Sequence, residues 1–149
     1  MAFLSARRLR VVVEGRPPRS VEIAPYEVPG LIDELPAIAA LGAHGGEVLV
    51  HGASELRVKE SDRIATLVTG FRNLGVAAAE RPDGFHVGNS RRSHARPHGG
   101  TAHARGDHRM AMAFAIAALT ARQPSTIEGA DAVDVSYPGF FEALKRLVR

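Results

Sequence analysis

Two short segments set basic side chains beside acids at spacings that suit the binding of small anions: Arg57-Val58-Lys59-Glu60-Ser61-Asp62-Arg63 and Asp107-His108-Arg109. In each, an arginine falls in the first turn of an expected helix, about two residues after an expected cap, Ser61 or Asp107. A cation there opposes the positive end of the helix dipole, at a cost of about 0.3–1 kcal/mol. An anionic ligand offsets that cost, because free helix N–H groups and a guanidinium grip phosphate or carboxylate together. The alternative is local: Asp62 or Asp107 neutralises the arginine beside it on a solvated turn.

The elements that position these segments follow from hydrophobic pattern and turn chemistry. Arg10-Val11-Val12-Val13 and Val21-Glu22-Ile23 read as short strands separated by Gly15-Arg16-Pro17-Pro18. Asp33-Glu34-Leu35-Pro36 opens an alanine-rich helix through about Leu41, and Gly45-Gly46 ends it. Glu47 to His51 alternates as a strand does, and a helix follows from Ser61 to about Leu74 with Ile64, Leu67, Val68, Phe71 and Leu74 on one face. The stretch 88–106, rich in Arg, His, Gly and Ser, predicts an exposed, mobile basic loop. Asp107 then opens a helix apolar nearly all round, Ser125 to Glu128 is a strand, and Ser136-Tyr137-Pro138 starts a last helix with Phe140, Phe141, Leu144 and Leu147 facing inward.

The pieces recur. An Asp-initiated buried helix, a strand ending in Gly-Ala and a Ser-initiated amphipathic helix occur twice, with Gly52-Ala53 and Gly129-Ala130 lying 77 residues apart. The chain therefore reads as one α/β domain over 1–149 with repeat-like units at about 20–87 and 107–149 and the basic loop 88–106 between them. An α/β chain without duplication shows similar order, so pattern alone leaves that alternative open.

Composition bounds the rest. With 149 residues, 45% hydrophobic and 23% charged, the chain has the size and balance of a single globular domain. The absence of cysteine excludes disulfides, thiolate nucleophiles and thiolate metal sites. No apolar run approaches the ~20 residues of a membrane-spanning helix, and the arginines at 7, 8 and 10 follow their apolar stretch, the reverse of a secretory signal, so a cytoplasmic protein is expected. A net charge of +3 and a pI near 9.9 suit nucleic acid or small anionic substrates equally. Seven histidines invite a metal reading, but His94, His98 and His103 lack regularly spaced carboxylate partners, and no metal site is expected.

Four motifs carry a family resemblance. Leu31-Ile32-Asp33-Glu34-Leu35-Pro36, Arg57 through Arg63, Asp107-His108-Arg109-Met110-Ala111-Met112 and Ser136-Tyr137-Pro138-Gly139-Phe140-Phe141 resemble, in order and spacing, the signatures of the 3-phosphoshikimate 1-carboxyvinyltransferases, or EPSP synthases. The resemblance runs from about Ser20 onward and weakens in the 88–106 loop. It implies repeated α/β units of an inside-out barrel, in a family of two lobes that close over substrates. It also implies an activity: transfer of the enolpyruvyl group of phosphoenolpyruvate to the 5-hydroxyl of shikimate 3-phosphate, giving 5-enolpyruvylshikimate 3-phosphate and phosphate on the way to chorismate and the aromatic amino acids. No metal or organic cofactor is implied.

By motif, Asp33 resembles the carboxylate that accepts the shikimate hydroxyl proton, and Glu60 resembles the second catalytic carboxylate, acting near the enolpyruvyl carbon. Lys59 resembles a substrate contact that can also serve as an acid, and Arg63 and Arg109 resemble phosphoenolpyruvate ligands. Each has a plainer reading as a helix cap, a solvated acid or surface charge. The chain resembles only about the last third of such an enzyme, without the amino-terminal lysine, serines and arginines that hold much of the substrates. A half site follows as the expectation, with Met1 opening in the middle of the family's pattern. Such a chain is expected to fold without turning over substrate alone, or to pair with a separately encoded amino-terminal part, and to expose apolar surface where absent units would pack.

The chain departs from the pattern in places. Val135 stands where many relatives have a lysine before the Ser-Tyr-Pro motif, Glu55 stands where some have an asparagine that meets substrate, and His44-Gly45-Gly46 and Arg91 to Arg105 look lineage-specific. Two other functions remain as alternatives: a related enolpyruvyl transferase acting on a nucleotide sugar, and a non-catalytic basic module binding nucleic acid through Arg91-Arg92-Ser93-His94-Ala95-Arg96.

Overall fold

The computed structural model describes residues 20–89 and 96–147. The strand expected at 10–13, the turn after it and the basic residues Arg91, Arg92 and His94 lie outside the described residues. The first element is strand β1 (Val21–Ile23), followed by helix α1 (Val28–Leu31) and helix α2 (Leu35–Ala40). Each helix carries a proline in its first turn, where the missing N–H costs nothing. The expected acidic cap of α2 is absent: Glu34 occupies the cap position without a side-chain hydrogen bond, and the acids here point elsewhere. A 3-10 turn (Leu41–His44) extends α2 until Gly45, at φ +89°, turns the chain back.

Strand β2 (Glu47–Val50) pairs in parallel with β1, and a 3-10 turn (Ser54–Val58) leads to helix α3 (Arg63–Asn73). Strands β3 (Ala78–Arg81) and β4 (Gly84–Gly88) then form a hairpin around Pro82-Asp83. This hairpin was not among the sequence expectations, because Ala77-Ala78-Ala79-Glu80 consists of weak strand formers and only the Pro-Asp turn marks it. The four strands lie in the order β1-β2-β4-β3, with β4 antiparallel to both neighbours.

Beyond it, strand β5 (Thr101–His103) pairs in parallel with strand β6 (Thr126–Glu128), and helix α4 (His108–Ala118) connects them. A 3-10 turn (Ala130–Ala132), helix α5 (Val133–Ser136) and helix α6 (Phe140–Leu147) complete the described chain. The order strand, helix, parallel strand, glycine with φ near +70°, 3-10 turn, helix thus occurs twice, at Gly52 and at Gly129. The exposed loop expected over 88–106 does not hold in its second half. Pro97, Ala102 and Ala104 are buried, since three small or apolar residues spaced among polar ones suffice for a short inner strand.

One core serves both units. The predicted face of α3 is buried throughout, and α4 adds Met110, Ala111, Phe114 and Ala117 to the same cluster. Each large aliphatic or aromatic side chain so buried contributes about 1.5–3 kcal/mol. Phe71 of α3 and Phe114 of α4 meet edge to face with ring centroids 5.5 Å apart, and the Phe114 ring lies against Gly70. The last helix differs from expectation. Phe140 and Phe141 are half buried, and Leu147, expected to face inward, is 81% exposed. Among the described residues no helix is long and apolar enough to cross a membrane.

A side chain at Gly70 has no room: its Cβ would lie 2.1 Å from Phe114 Cζ, and the packed Phe71 edge leaves that ring nowhere to swing. Gly70→Ala is expected to destabilise the chain by about 1–3 kcal/mol through overpacking, read as a lowered urea midpoint with unchanged slope.

Candidate functional site

The charged seam between α3 and α4 is built by their amino-terminal ends. Asp62, not Ser61, caps α3: its carboxylate accepts from Ala65 N–H at 3.0 Å. Arg63 is therefore the first helical residue, with its side chain 2% exposed. Asp107 caps α4, accepting from Arg109 N–H at 3.0 Å and Met110 N–H at 3.4 Å, and is fully buried. The local pairing considered from sequence does not form. Asp62 takes Arg57 Nη1 at 2.9 Å, and Asp107 reaches across to Arg63, accepting from its Nε at 2.7 Å.

Arg63 is the hub. Its Nη1 meets Asp33 Oδ1 at 3.2 Å, and its Nη2 donates to Glu60. Asp33 comes from the turn between α1 and α2 and Glu60 from the loop before α3, both half exposed on the solvent side of the guanidinium. Arg109 stands next to them: its Nη1 donates to the backbone carbonyl of Asp33 at 2.7 Å, and it lies 3.7 Å from the Asp33 carboxylate and 3.8 Å from Glu34. Ser61 donates to Asp107 Oδ2 at 3.4 Å. Three segments far apart in sequence thus share one ionic cluster.

Burial by itself would push the Asp107 carboxyl up, but the Arg63 guanidinium, with the two helix N–H groups, outweighs it and holds the group below the usual carboxylate range. Burial likewise works against charge on Arg63, and the hydrogen bonds and charges of Asp107 and Glu60 overcome it. The arginine at a helix amino terminus, which needed a counterion on dipole grounds, has its counterion within the chain.

Of the five residues singled out from sequence, Asp33, Glu60, Arg63 and Arg109 meet in this cluster. Lys59 does not: its Nζ pairs with Glu55 Oε1 at 2.8 Å, one turn back. Sequence reasoning missed the burial of Asp107 and its pairing with Arg63, which no local spacing signals. It also missed Arg57, whose guanidinium binds the carbonyls of Pro82 at 2.9 Å and Arg81 at 2.7 Å as well as Asp62 and Glu80. That clamp fixes the Lys59-to-Asp62 loop against the β3–β4 hairpin. Glu60, Asp107 and His108 bring ligand-type atoms within 4.8 Å of one another, but Arg63 already supplies the cation to two of the three.

Two helix amino termini facing across a buried arginine, rimmed by half-exposed carboxylates and a second arginine, make an α/β protein with a built ionic cluster where its two repeats meet. The fold agrees with solved enzymes of one kind. Two structures of EPSP synthase from Acinetobacter baumannii superpose on 86% of this chain, with TM-scores of 0.77 and 0.74 at 36% and 32% identity, and the chain covers 30% and 29% of theirs. The family model for EPSP synthase (3-phosphoshikimate 1-carboxyvinyltransferase) matches residues 4–144, further toward the amino terminus than the start near Ser20 read from motifs. The chain belongs to this family. Similar curated relatives include the 3-phosphoshikimate 1-carboxyvinyltransferases of Lactiplantibacillus plantarum, 48% identical over 85% of this chain and 29% of theirs, and of Carboxydothermus hydrogenoformans, 45% identical over 91% and 31%. The chain spans about three-tenths of the length of the relatives it matches.

Because Asp107 stays ionised at lower pH in the folded chain than in the unfolded one, its contribution is complete above about pH 4 and is lost as pH falls through its depressed folded value. Asp107→Asn leaves Arg63 buried without its counterion and is expected to cost about 3–5 kcal/mol near neutral pH. Urea unfolding between pH 6 and pH 2.5 should show that deficit shrinking as the medium is acidified; a constant deficit would contradict the ionic origin.

Proposed function

We propose that this chain supplies the carboxy-terminal share of an active site that transfers the enolpyruvyl group of phosphoenolpyruvate to the 5-hydroxyl of shikimate 3-phosphate, releasing phosphate. The observation that supports the reading most is the Arg63 cluster: a buried guanidinium, anchored from behind by Asp107, with Asp33, Glu60 and Arg109 gathered on its open side. In the family reading, Asp33 and Glu60 are the proton-transfer pair and Arg63, Arg109 and Lys59 hold substrate. Small anions are its only ligands, with neither nucleic acid nor membrane involved, and the amino-terminal remainder of the site comes from a complementary part of the enzyme.

The arrangement suggests how the same arginine serves two partners in turn. Asp33 and Glu60 occupy the outer rim of Arg63. A substrate carboxylate seated between Arg63 and Arg109 replaces them there by a bidentate contact and frees both carboxyl groups for chemistry. Glu60, released from Arg63, takes up a proton from solvent; the hydroxyl oxygen then bonds to the enol C2 as its proton passes to Asp33, the C2–methylene π bond opens, and the methylene carbon takes the proton from Glu60. When the adduct collapses, the C–O bond to phosphate breaks, a proton leaves the methyl carbon for Glu60, and phosphate or solvent takes the proton held by Asp33. Fixed positive charge from two arginines opposes the negative charge of the reacting group throughout. Lys59 joins by exchanging Glu55 for substrate.

The test is phosphate release from shikimate 3-phosphate and phosphoenolpyruvate by the chain mixed with the remaining part of the Lactiplantibacillus plantarum relative. Activity is expected in the mixture, with Asp33→Asn and Glu60→Gln each lowering it by about 100-fold or more and His98→Ala leaving it unchanged. Turnover of a nucleotide sugar in place of shikimate 3-phosphate would overturn the reading.

A further inference from the structure

The loop that carries Lys59 and Glu60 is the least regular part of the site. It leaves β2 at Val50 and reaches α3 at Arg63 through the 3-10 turn Ser54–Val58, and from Lys59 to Ser61 the chain bends without joining helix or strand. Ala53 and Leu56 are buried near its start, but toward the tip Val58 is 80% exposed and Glu60 faces solvent, so apolar packing does not hold the tip in place.

The turn of the β3–β4 hairpin holds it instead, from both ends. At the start, Gly52 N–H donates to Asp83 Oδ2 at 3.0 Å and Ala53 N–H donates to the Asp83 carbonyl at 2.6 Å. At the end, Arg57 fills its whole fork. Its Nε donates to Pro82 O at 2.9 Å, its Nη2 to Arg81 O at 2.7 Å and Glu80 Oε1 at 3.3 Å, and its Nη1 to the two Asp62 oxygens at 2.9 and 3.3 Å. Because Arg57 and Asp62 flank Lys59 and Glu60, their contact closes a small ring of chain with those two residues inside it. The other contacts fasten the ring to the hairpin. The hairpin is in turn fixed to β2, since a Cβ at Gly84 would lie 1.9 Å from the Val50 carbonyl oxygen.

We infer that Arg57 is a positioning residue for proton transfer: it seats the loop on the β3–β4 turn, so that Lys59 and Glu60 keep their places once they have left Glu55 and Arg63. The inference rests on the proposed function, in which both ion pairs open before the chemistry. From that moment the ring closed by Arg57 is what fixes the two side chains. The phosphoenolpyruvate grip has a different support, because Arg63 and Arg109 stand at helix amino termini set by Asp107. Arg57 therefore governs the rate of the chemical step and not the hold on that substrate. An ammonium in place of the guanidinium would keep the charge but lose the planar fork that reaches two carbonyls and two carboxylates at once. Reacting groups misplaced by about 1 Å lose about 100-fold in rate.

Arg57→Lys and Asp83→Ala loosen opposite ends of the loop and leave the buried core intact. In the chain alone under native conditions, a glutamate-specific protease is expected to cut after Glu60 about tenfold or more faster in either variant, with the urea midpoint close to that of the unaltered chain. In the mixture with the remaining part of the Lactiplantibacillus plantarum relative, Arg57→Lys should lower kcat by about 30-fold or more and leave KM for phosphoenolpyruvate within about threefold. If Arg57→Lys does not fold, Asp83→Ala decides by the same two readings. Unaltered kcat despite faster cleavage, or a loss carried by KM for phosphoenolpyruvate, overturns the inference. Phosphate release by a mixture whose Arg57→Lys chain is cut no faster overturns it too, while sparing the proposed function. Faster cleavage with no phosphate release from any mixture sustains the seating of the loop and removes the proposed function.

Discussion

The contact between Arg63 and Asp107 is the constraint on which the rest depends. Both groups are withdrawn from water, and neither would be tolerable there alone, because an unpaired buried charge costs several kcal/mol. The pair also ties the amino terminus of one helix to that of another from the second unit, so the two repeats cannot shift against each other without breaking it. Everything at the open side of the guanidinium inherits its position from this anchor. Asp33 and Glu60 are placed by Arg63, and Arg109 by the cap that Asp107 makes on its own helix and by the Asp33 carbonyl.

Around that anchor the local rules agree with the global fold. Prolines open the short helices, glycines with positive φ turn the chain after α2, β2 and β6, and apolar residues at helical spacing lock α3 to α4. Arg57 adds a second, more exposed clamp that holds the loop bearing Lys59 and Glu60 against the hairpin carbonyls. The site is therefore set by regular elements on its buried side and by ion pairs on its open side.

Much of this was legible in the sequence, and what was not has identifiable physical causes. Periodicity located α3 and α4 because their apolar faces meet a real core, and β-branched alternation located β1 and β2. It failed at β3, whose alanines carry no strand signal, and at β5, where a basic, glycine-rich composition concealed two buried alanines. It failed again at Leu147, because an amphipathic face predicts burial without saying what covers it. The cluster was legible as residue types and motif positions, yet its wiring was not. Spacing offered each arginine either a bound anion or the acid beside it, while the fold gives Arg63 a counterion 44 residues away.

That separation along the chain bears on synthesis. During translation Arg63 leaves the ribosome before its buried counterion exists, and until Asp107 arrives the guanidinium has to keep its hydration. The start of α3 consequently cannot seal against the core, and the earlier repeat stays ajar through the interval. A ribosome stalled before Asp107 emerges would hold a chain whose α3 still has an unsealed amino-terminal end.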